Sequence, residues 1–289
     1  AIRDINFEIT ENGIYGLLGS NGAGKSTTMN IMCGVLKQTE GEVFIKGVSM
    51  RENPVEAKRY IGFLPQKAPL HTEMTVDEYL YHCADIRLMP KKEIPAAIDR
   101  AKEKCGITHF SKRQICNLSG GYQQRVGIAQ AIIHDPLFVI LDEPTNGLDP
   151  NQITEVRHLI KGIAEDRAVL ISTHILPEVQ AVCDYIMMIE HGQKVFEGTI
   201  NAFNTYMSPS ALMTIMHNAP TTEELLKIEG IVRVERLTKT RIRLHFKGDN
   251  AIVGRVVKQA VENQWRLREI SLEKESLDKV FAKLSGKEV

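Results

Sequence analysis

No apolar run in this 289-residue chain exceeds a few positions, Leu137–Leu141 being representative. Crossing a bilayer takes about 18, so no span is expected within the sequence. Neither sign of charge dominates, with 36 Lys and Arg against 36 Asp and Glu. That balance excludes an overall basic nucleic-acid binder and an acidic, solvated tail. Cysteines are few and unpatterned: positions 33, 83, 105, 116 and 183, an odd number with no CxxC spacing. A disulfide framework or a zinc site is therefore not expected. Buried or half-buried thiols in a reducing cytoplasm are. Internal repeats, low-complexity tracts and sustained heptads are also missing. The first eight residues carry Arg3, Asp4 and Glu8, which does not suit a secretory signal.

What is present resembles an ordinary globular composition, 43% hydrophobic and 25% charged. The length allows one large domain or two ordinary ones. Short apolar runs alternate with helical spacings over the first 200 or so residues. Ile14–Leu18, Leu137–Leu141 and Ala168–Ser172 have the length of buried strands. Lys25–Leu36 and Asn151–Ala164 read as helices, the former with Met29, Ile31, Met32 and Val35 available for burial. Such alternation predicts a layered α/β domain with parallel strands. From about 75 to 133 three helical patterns replace it, opening with the capping-box pair Thr75 and Glu78. This stretch is expected to be a helical insertion.

Ser208-Pro209-Ser210 has linker composition. It predicts one domain over 1–207 and a smaller α/β domain over 208–289. In the latter, strand Met213–His217 is followed by helix Thr221–Ile228. A hairpin of Ile231–Leu237 with Thr240–Phe246 comes next, then helix Ala251–Gln264, strand Leu267–Ser271 and helix Ser276–Ser285. The order fits a split βαβ sheet. Residues 211–289 hold 15 basic and 11 acidic side chains, against 21 and 25 before them.

Gly19-Ser20-Asn21-Gly22-Ala23-Gly24-Lys25-Ser26 fits G-x-x-x-x-G-K-[ST] at every position. Glycines at 19, 22 and 24 open backbone angles closed to other residues and let the chain approach phosphate oxygens. Successive N–H groups then converge on one anion-sized concavity. The helix that follows adds its positive end. Lys25 can bridge β- and γ-phosphates, and Ser26 can offer its hydroxyl to Mg²⁺. Thr27 completes the candidate nucleotide-binding segment. An apolar strand precedes the loop and an amphipathic helix follows, the context that a phosphate loop needs.

The run Leu137–Leu141 ends in Asp142-Glu143-Pro144. Two acids at the carboxyl end of a buried strand lie where α/β sheets place ligands. Strand alternation sends their side chains different ways. Asp142 is the candidate for the magnesium shell. Glu143 is the candidate to polarise the attacking water.

Upstream of that strand, Leu118-Ser119-Gly120-Gly121-Tyr122-Gln123-Gln124-Arg125 resembles the signature motif of the ATP-binding-cassette (ABC) ATPases. Ser119, Gly120 and Gly121 open another helix and can present a hydroxyl and free N–H groups to an anion. The resemblance implies that this helix end faces the γ-phosphate held by a second copy. Its fifth position is usually Gln; here it is Tyr122. Other elements resemble the family in order. Gln66 matches the glutamine that approaches metal and attacking water. Asp149, in Asn146–Pro150, matches the loop that crosses to the partner. His174 matches the switch histidine near the γ-phosphate.

The resemblance covers about 1–204. It implies a P-loop ABC core, ATP and Mg²⁺ as ligands, and Glu143, His174 and Gln66 as the catalytic set. It also implies a second copy of the cassette as partner and transmembrane permease subunits on separate chains, at the cytoplasmic face of the plasma membrane. Family members receive the membrane partner around 75–105. The runs 126–136 and 145–153 resemble bacterial exporters of drugs, lipids or glycans, including the gliding-motility type. A soluble ABC ATPase acting on nucleic acid or ribosomes is the alternative, and direct nucleic-acid binding is not expected.

The family stacks adenine on an aromatic residue ahead of the segment matched by Ala1–Phe7, and that residue is expected to be missing from this sequence. Phe7 and Tyr15 are expected to be core residues. In the C-terminal unit, Ile242, Leu244 and Phe246 alternate with Arg241, Arg243, His245 and Lys247. A solvated strand face is the plainer reading of the basic side, binding of RNA or anionic lipid the other. A regulatory or dimer-supporting role is expected.

Overall fold

The computed structural model describes residues 2–206, 211–248 and 251–273. The chain divides into two compact units, Ala1–Ile200 and Asn201–Val289. The expected junction at 207/208 and the expected last helix at 276–285 lie outside the described residues.

The first unit begins with β1 (Gly13–Leu18), whose residues 14–18 are all buried, and α1 (Lys25–Met32). A two-residue hairpin follows, β2 (Phe44–Ile45) with β3 (Val48–Ser49). Then come α2 (Pro54–Arg59) and β4 (Ile61–Leu64). Helices α3 (Val76–Ile86), α4 (Ile94–Cys105) and α5 (Gly120–Ile132) form the insertion before β5 (Phe138–Asp142). The chain closes the unit with α6 (Pro150–Ala164), β6 (Ala168–Thr173), α7 (Leu176–Val182), β7 (Tyr185–Glu190) and β8 (Gln193–Thr199). A further helix, α8 (Ile200–Tyr206), follows.

The main sheet has the order β4-β5-β6-β1-β7-β8. Its first five strands are parallel and β8 is antiparallel to β7. Register sets Leu18 beside Thr173 and Met188, and Asp142 beside Ser172. The carboxyl ends of β1, β5, β6 and β7 therefore finish level, at the edge where α/β sheets bind ligands.

Local chemistry sets several boundaries. Gly24, at φ 112°, turns the chain into α1. That helix stops at Met32 rather than Leu36, because the N–H groups of Val35 and Leu36 fold back to the Asn30 carbonyl at 2.8 and 3.0 Å. Val35 is consequently exposed, not core. Strand β5 starts one residue late, leaving Leu137 exposed, and it includes Asp142. A reciprocal capping box of Thr75 and Glu78 opens α3. Among the thiols, Cys116 is exposed, against expectation.

The second unit runs β9 (Ala211–Met216), α9 (Thr222–Leu226), β10 (Ile231–Arg236), β11 (Arg241–Phe246), α10 (Ile252–Glu262), β12 (Leu267–Glu273). Its sheet order is β10-β11-β9-β12, antiparallel throughout. Strand β11 is inserted between β9 and β10, which is the split βαβ arrangement. Leu212, Ile242, Leu244 and Phe246 share a core with residues of α10 and Trp265.

Candidate functional site

A cavity of about 550 Å³ opens at the carboxyl edge of the parallel strands. Ligand pockets typically measure ~300–1,000 Å³. Its walls include Asn21, Gly22, Gly24, Lys25, Ser26 and Thr27 from the glycine-rich loop and α1. Gln66, Glu143, Asn146 and His174 form the opposite side.

The loop needs its glycines for different reasons. Gly22 adopts φ 83° with open space around its Cα, so conformation alone demands glycine. At Gly19, a Cβ would stand 2.3 Å from the Ile189 carbonyl oxygen, so close approach demands it. Lys25 is buried and its Nζ donates to the Gly19 and Ser20 carbonyls at 2.9 and 3.1 Å. Burial pushes its ammonium below the ordinary lysine pKa, against the pull of Glu143, Asp142 and Glu190. Ala23 is buried in the loop and donates its N–H to the Ser20 carbonyl at 3.1 Å.

Glu143 is the hub of the opposite side. It follows β5 with φ 47°, in the left-handed region that non-glycine residues avoid at a cost of about 1–2 kcal/mol. Its Oε2 accepts from Gln66 Nε2 at 2.9 Å and from Asn146 Nδ2 at 3.2 Å. His174 Nδ1 lies 3.1 Å from Oε1. Residues far apart in sequence thus meet on one carboxylate. Asp142 is buried behind it and accepts from the Ser172 hydroxyl, which itself accepts from the Glu143 N–H at 3.0 Å.

Ser119, Gly120, Gly121 and Asp149 do not line the cavity. Ser119 stands at the N-cap of α5 and its hydroxyl makes no cap bond to that helix. At Gly121, a Cβ would meet the Gln152 side chain at 2.6 Å, which would have to swing aside. Asp149 caps α6, accepting from the N–H groups of Asn151 and Gln152 at 3.0 and 2.9 Å. Tyr122 packs edge-on against Phe110 at 4.6 Å, with the Arg125 guanidinium 5.4 Å from its ring. Tyr15 stacks on Tyr185 at 4.8 Å and Phe7 packs against the same core cluster, as expected.

Four contributors escaped the sequence reading. Asn146 and Ser172 steady the two carboxylates. Glu190, ending β7, accepts from the Ser20 hydroxyl at 3.0 Å. Buried Glu178 accepts from the hydroxyls of Thr145 and Thr173, tying the segments after β5 and β6 together. Only Asn146 and Ser172 carried a usable signal, Asn146 opening the segment that holds Asp149 and Ser172 lying two residues before His174.

As a donor set for Mg²⁺, the Ser26 hydroxyl, Gln66 amide and Asp142 carboxylate are all oxygen-bearing, as this hard ion requires. Among the described residues no group of three or more His, Cys, Asp or Glu could hold a metal. These residues therefore fit an ion that arrives with substrate phosphates and keeps several waters.

The family model described as ABC transporter matches residues 2–146. The chain is similar to the bacitracin transport ATP-binding protein BcrA of Bacillus licheniformis, 32% identical over 99% of this chain and 92% of that one. Among solved structures it is similar to cbiO1 from Clostridium perfringens, part of the ABC transporter complex cbiONQ. That match has 27% identity, a TM-score of 0.65, and covers 71% of this chain and 84% of that one. It is also similar to a dimeric ATP-binding cassette in a post-hydrolysis state with ADP and phosphate, at 26% identity and TM-score 0.62, over 69% and 90% of the chains.

Proposed function

The chain belongs to the ABC transporter ATP-binding proteins, and we propose that it drives export by closing on a second copy around two ATP molecules. It is an ATPase that uses ATP with Mg²⁺. The membrane-spanning partners are separate chains, and the cassette works at the cytoplasmic face of the plasma membrane. Among the described residues no helix is long and apolar enough to cross a membrane. Export rests on the likeness of 126–136 and 145–153 to exporters; the relative named for bacitracin transport supports a transport role without giving its direction.

The observation that carries the reading is the convergence of Gln66, Asn146 and His174 on Glu143, across a cavity from the glycine-rich loop. Loop N–H groups and Lys25 bind the phosphates. Ser26, Gln66 and Asp142 would hold the ion, which would neutralise phosphate charge. Glu143 accepts the proton of the water that attacks the γ-phosphorus as the bond to ADP breaks. Gln66 and His174 orient that water and the γ-phosphate. Ser119, Gly120 and Gly121 of the second copy complete the site, which explains why they stand outside this chain's own cavity.

Glu143→Gln keeps the shape and removes the base. Turnover should fall by ~10²–10⁴-fold while ATP still binds. With hydrolysis blocked, Mg-ATP should accumulate a two-fold dimer in sedimentation, and ADP should not. A variant that holds ATP, measured in the same sample, yet remains monomeric rejects closure around shared sites.

A further inference from the structure

The sheet of the second unit has two unlike faces. One is covered by α9 and α10, through Leu225, Ile252 and Val256. The other presents alternate residues of each strand, and the register shows which stand together. Arg241 of β11, Ile215 of β9 and Glu269 of β12 form one row across the face. Glu235 of β10, Arg243, Met213 and Ser271 form the next. Arg233, His245, Ala211 and Glu273 form the third.

Charge is sorted along these rows. The β10–β11 side carries Arg233, Arg241, Arg243 and His245 with a single acid, Glu235. The β12 side carries Glu269 and Glu273 at its paired positions, with exposed Arg268 the unpaired residue of a bulge beside Glu269. Between them runs an apolar strip on β9, with Met213 and Ile215 half-buried. The middle of the face is neutralised internally: Arg243 reaches over β9 to Glu273 at 2.6 Å and pairs with Glu235 at 3.1 Å. Arg241 and Glu269 are both exposed, and neither enters an ion pair among the described residues.

We propose that this open face is a docking surface for a second copy of the chain, formed without nucleotide and separate from ATP-driven closure. A two-fold axis parallel to β9, lying between two such sheets, carries each β11 over the partner copy's β12. It preserves height along the strand, so Arg241 of each copy meets the other's Glu269 in the same row. The apolar strips face each other at the centre. Sheets pack about 10 Å apart, within reach of long side chains from both. An axis at right angles to β9 would set basic strands on basic strands. The charge pattern therefore selects both the partner and the orientation.

The proposal extends the dimer reading above but stands on different residues, so the two can fail separately. Sedimentation of the full chain without nucleotide should show concentration-dependent association that weakens as salt rises. Arg241→Glu or Glu269→Arg alone places like charges together twice per dimer and should weaken association about tenfold or more. The double variant restores opposite charges and should recover it. With Glu143→Gln added, Arg241→Glu protein should still dimerise on Mg-ATP. Nucleotide-free protein that stays monomeric at its solubility limit overturns the proposal, and would leave the face to residues 274–289 or to a different protein. Association indifferent to either charge reversal overturns it too.

Discussion

Lys25, in the glycine-rich loop, and Lys102, in α4 of the helical insertion, are 6% and 5% exposed, yet their partners differ in kind. Lys102 meets fixed anions: Asp77 at 2.6 Å and Asp99 at 3.2 Å, with the Ser111 hydroxyl at 2.9 Å. Lys25 meets two neutral carbonyls. Burial opposes the charge on both. At Lys102 the two aspartates outweigh it and the pKa rises; at Lys25 burial prevails and the pKa falls. A buried cation with its anions already in place has nothing to gain from a ligand. One held only by carbonyl dipoles gains greatly when phosphate oxygens replace them. The comparison separates a lysine that holds the fold from one that waits for substrate, at equal burial.

Removing each lysine is the sharpest way to break that contrast. Lys25→Ala should lower ATP affinity about 100-fold or more, the scale of two charge-assisted hydrogen bonds, and abolish turnover. Melting of the nucleotide-free protein should change little. Isothermal titration and a phosphate-release assay read the two quantities. Near-normal turnover would contradict the role given to Lys25. Lys102→Met should do the reverse. It keeps the aliphatic stem but leaves Asp77 and Asp99 without their cation, at a cost of about 2–3 kcal/mol. ATP affinity should be unchanged, and urea unfolding supplies the stability.

A half-buried cation, Arg87, sharpens the comparison further, because among the described residues it pairs with no acid. The Arg87 guanidinium stands 2.9 Å from His134 Nε2, and His134 Nδ1 is buried without a partner. The same Nε2 lies 3.0 Å from the Ile61 carbonyl, and burial beside a guanidinium favours the neutral ring. Burial, then Arg87, lowers the His134 pKa to about 3, against an ordinary value of about 6.5. The unfolded chain therefore takes up this proton first as pH falls. The stability linked to His134 is complete above about pH 6.5 and declines toward pH 3, with about 2 kcal/mol lost by pH 5. Unfolding free energies at pH 7 and 5 should differ less in His134→Gln than in the parent chain. Equal pH slopes would show that the ring is not held neutral.

Lys25, Asp142, Glu143 and His174 were legible in the sequence because each lies at a strand end or in a loop where short spacings encode the geometry. Lys102 was not legible. Its partners Asp77, Asp99 and Ser111 come from three segments, and a lysine in an amphipathic helix ordinarily faces water. The Arg87–His134 contact was hidden for the same reason, being made by helix packing. Helix and strand types followed from periodicity, but ends such as Met32 did not. That end is set by Asn30 receiving two N–H groups, a backbone event with weak side-chain signature. The basic strip on β11 misled in part, since cross-strand register supplies Glu235 and Glu273 to Arg243.

The smallest effect tests whether the Lys102 site depends on the helix that carries Asp77. Thr75 caps α3: its hydroxyl accepts from the Glu78 N–H at 3.3 Å, and the Glu78 carboxylate accepts from the Thr75 N–H at 2.8 Å. Those bonds to Thr75, the backbone one foremost, hold the Glu78 pKa below its ordinary value. Thr75→Ala should lower stability by about 1 kcal/mol, with ATP affinity intact. Asp77 lies two residues past the cap, so loosening the first turn also loosens the anion that holds Lys102. Thr75→Ala and Lys102→Met should therefore cost less together than the sum of their separate effects. The cap's own contribution should shrink as pH drops through the carboxylate range, because a depressed acid gives up its stabilisation on protonation. Strict additivity in urea unfolding would mean that Asp77 is positioned by α4 and the Ser111 carbonyl, 3.0 Å from its N–H, independently of the cap.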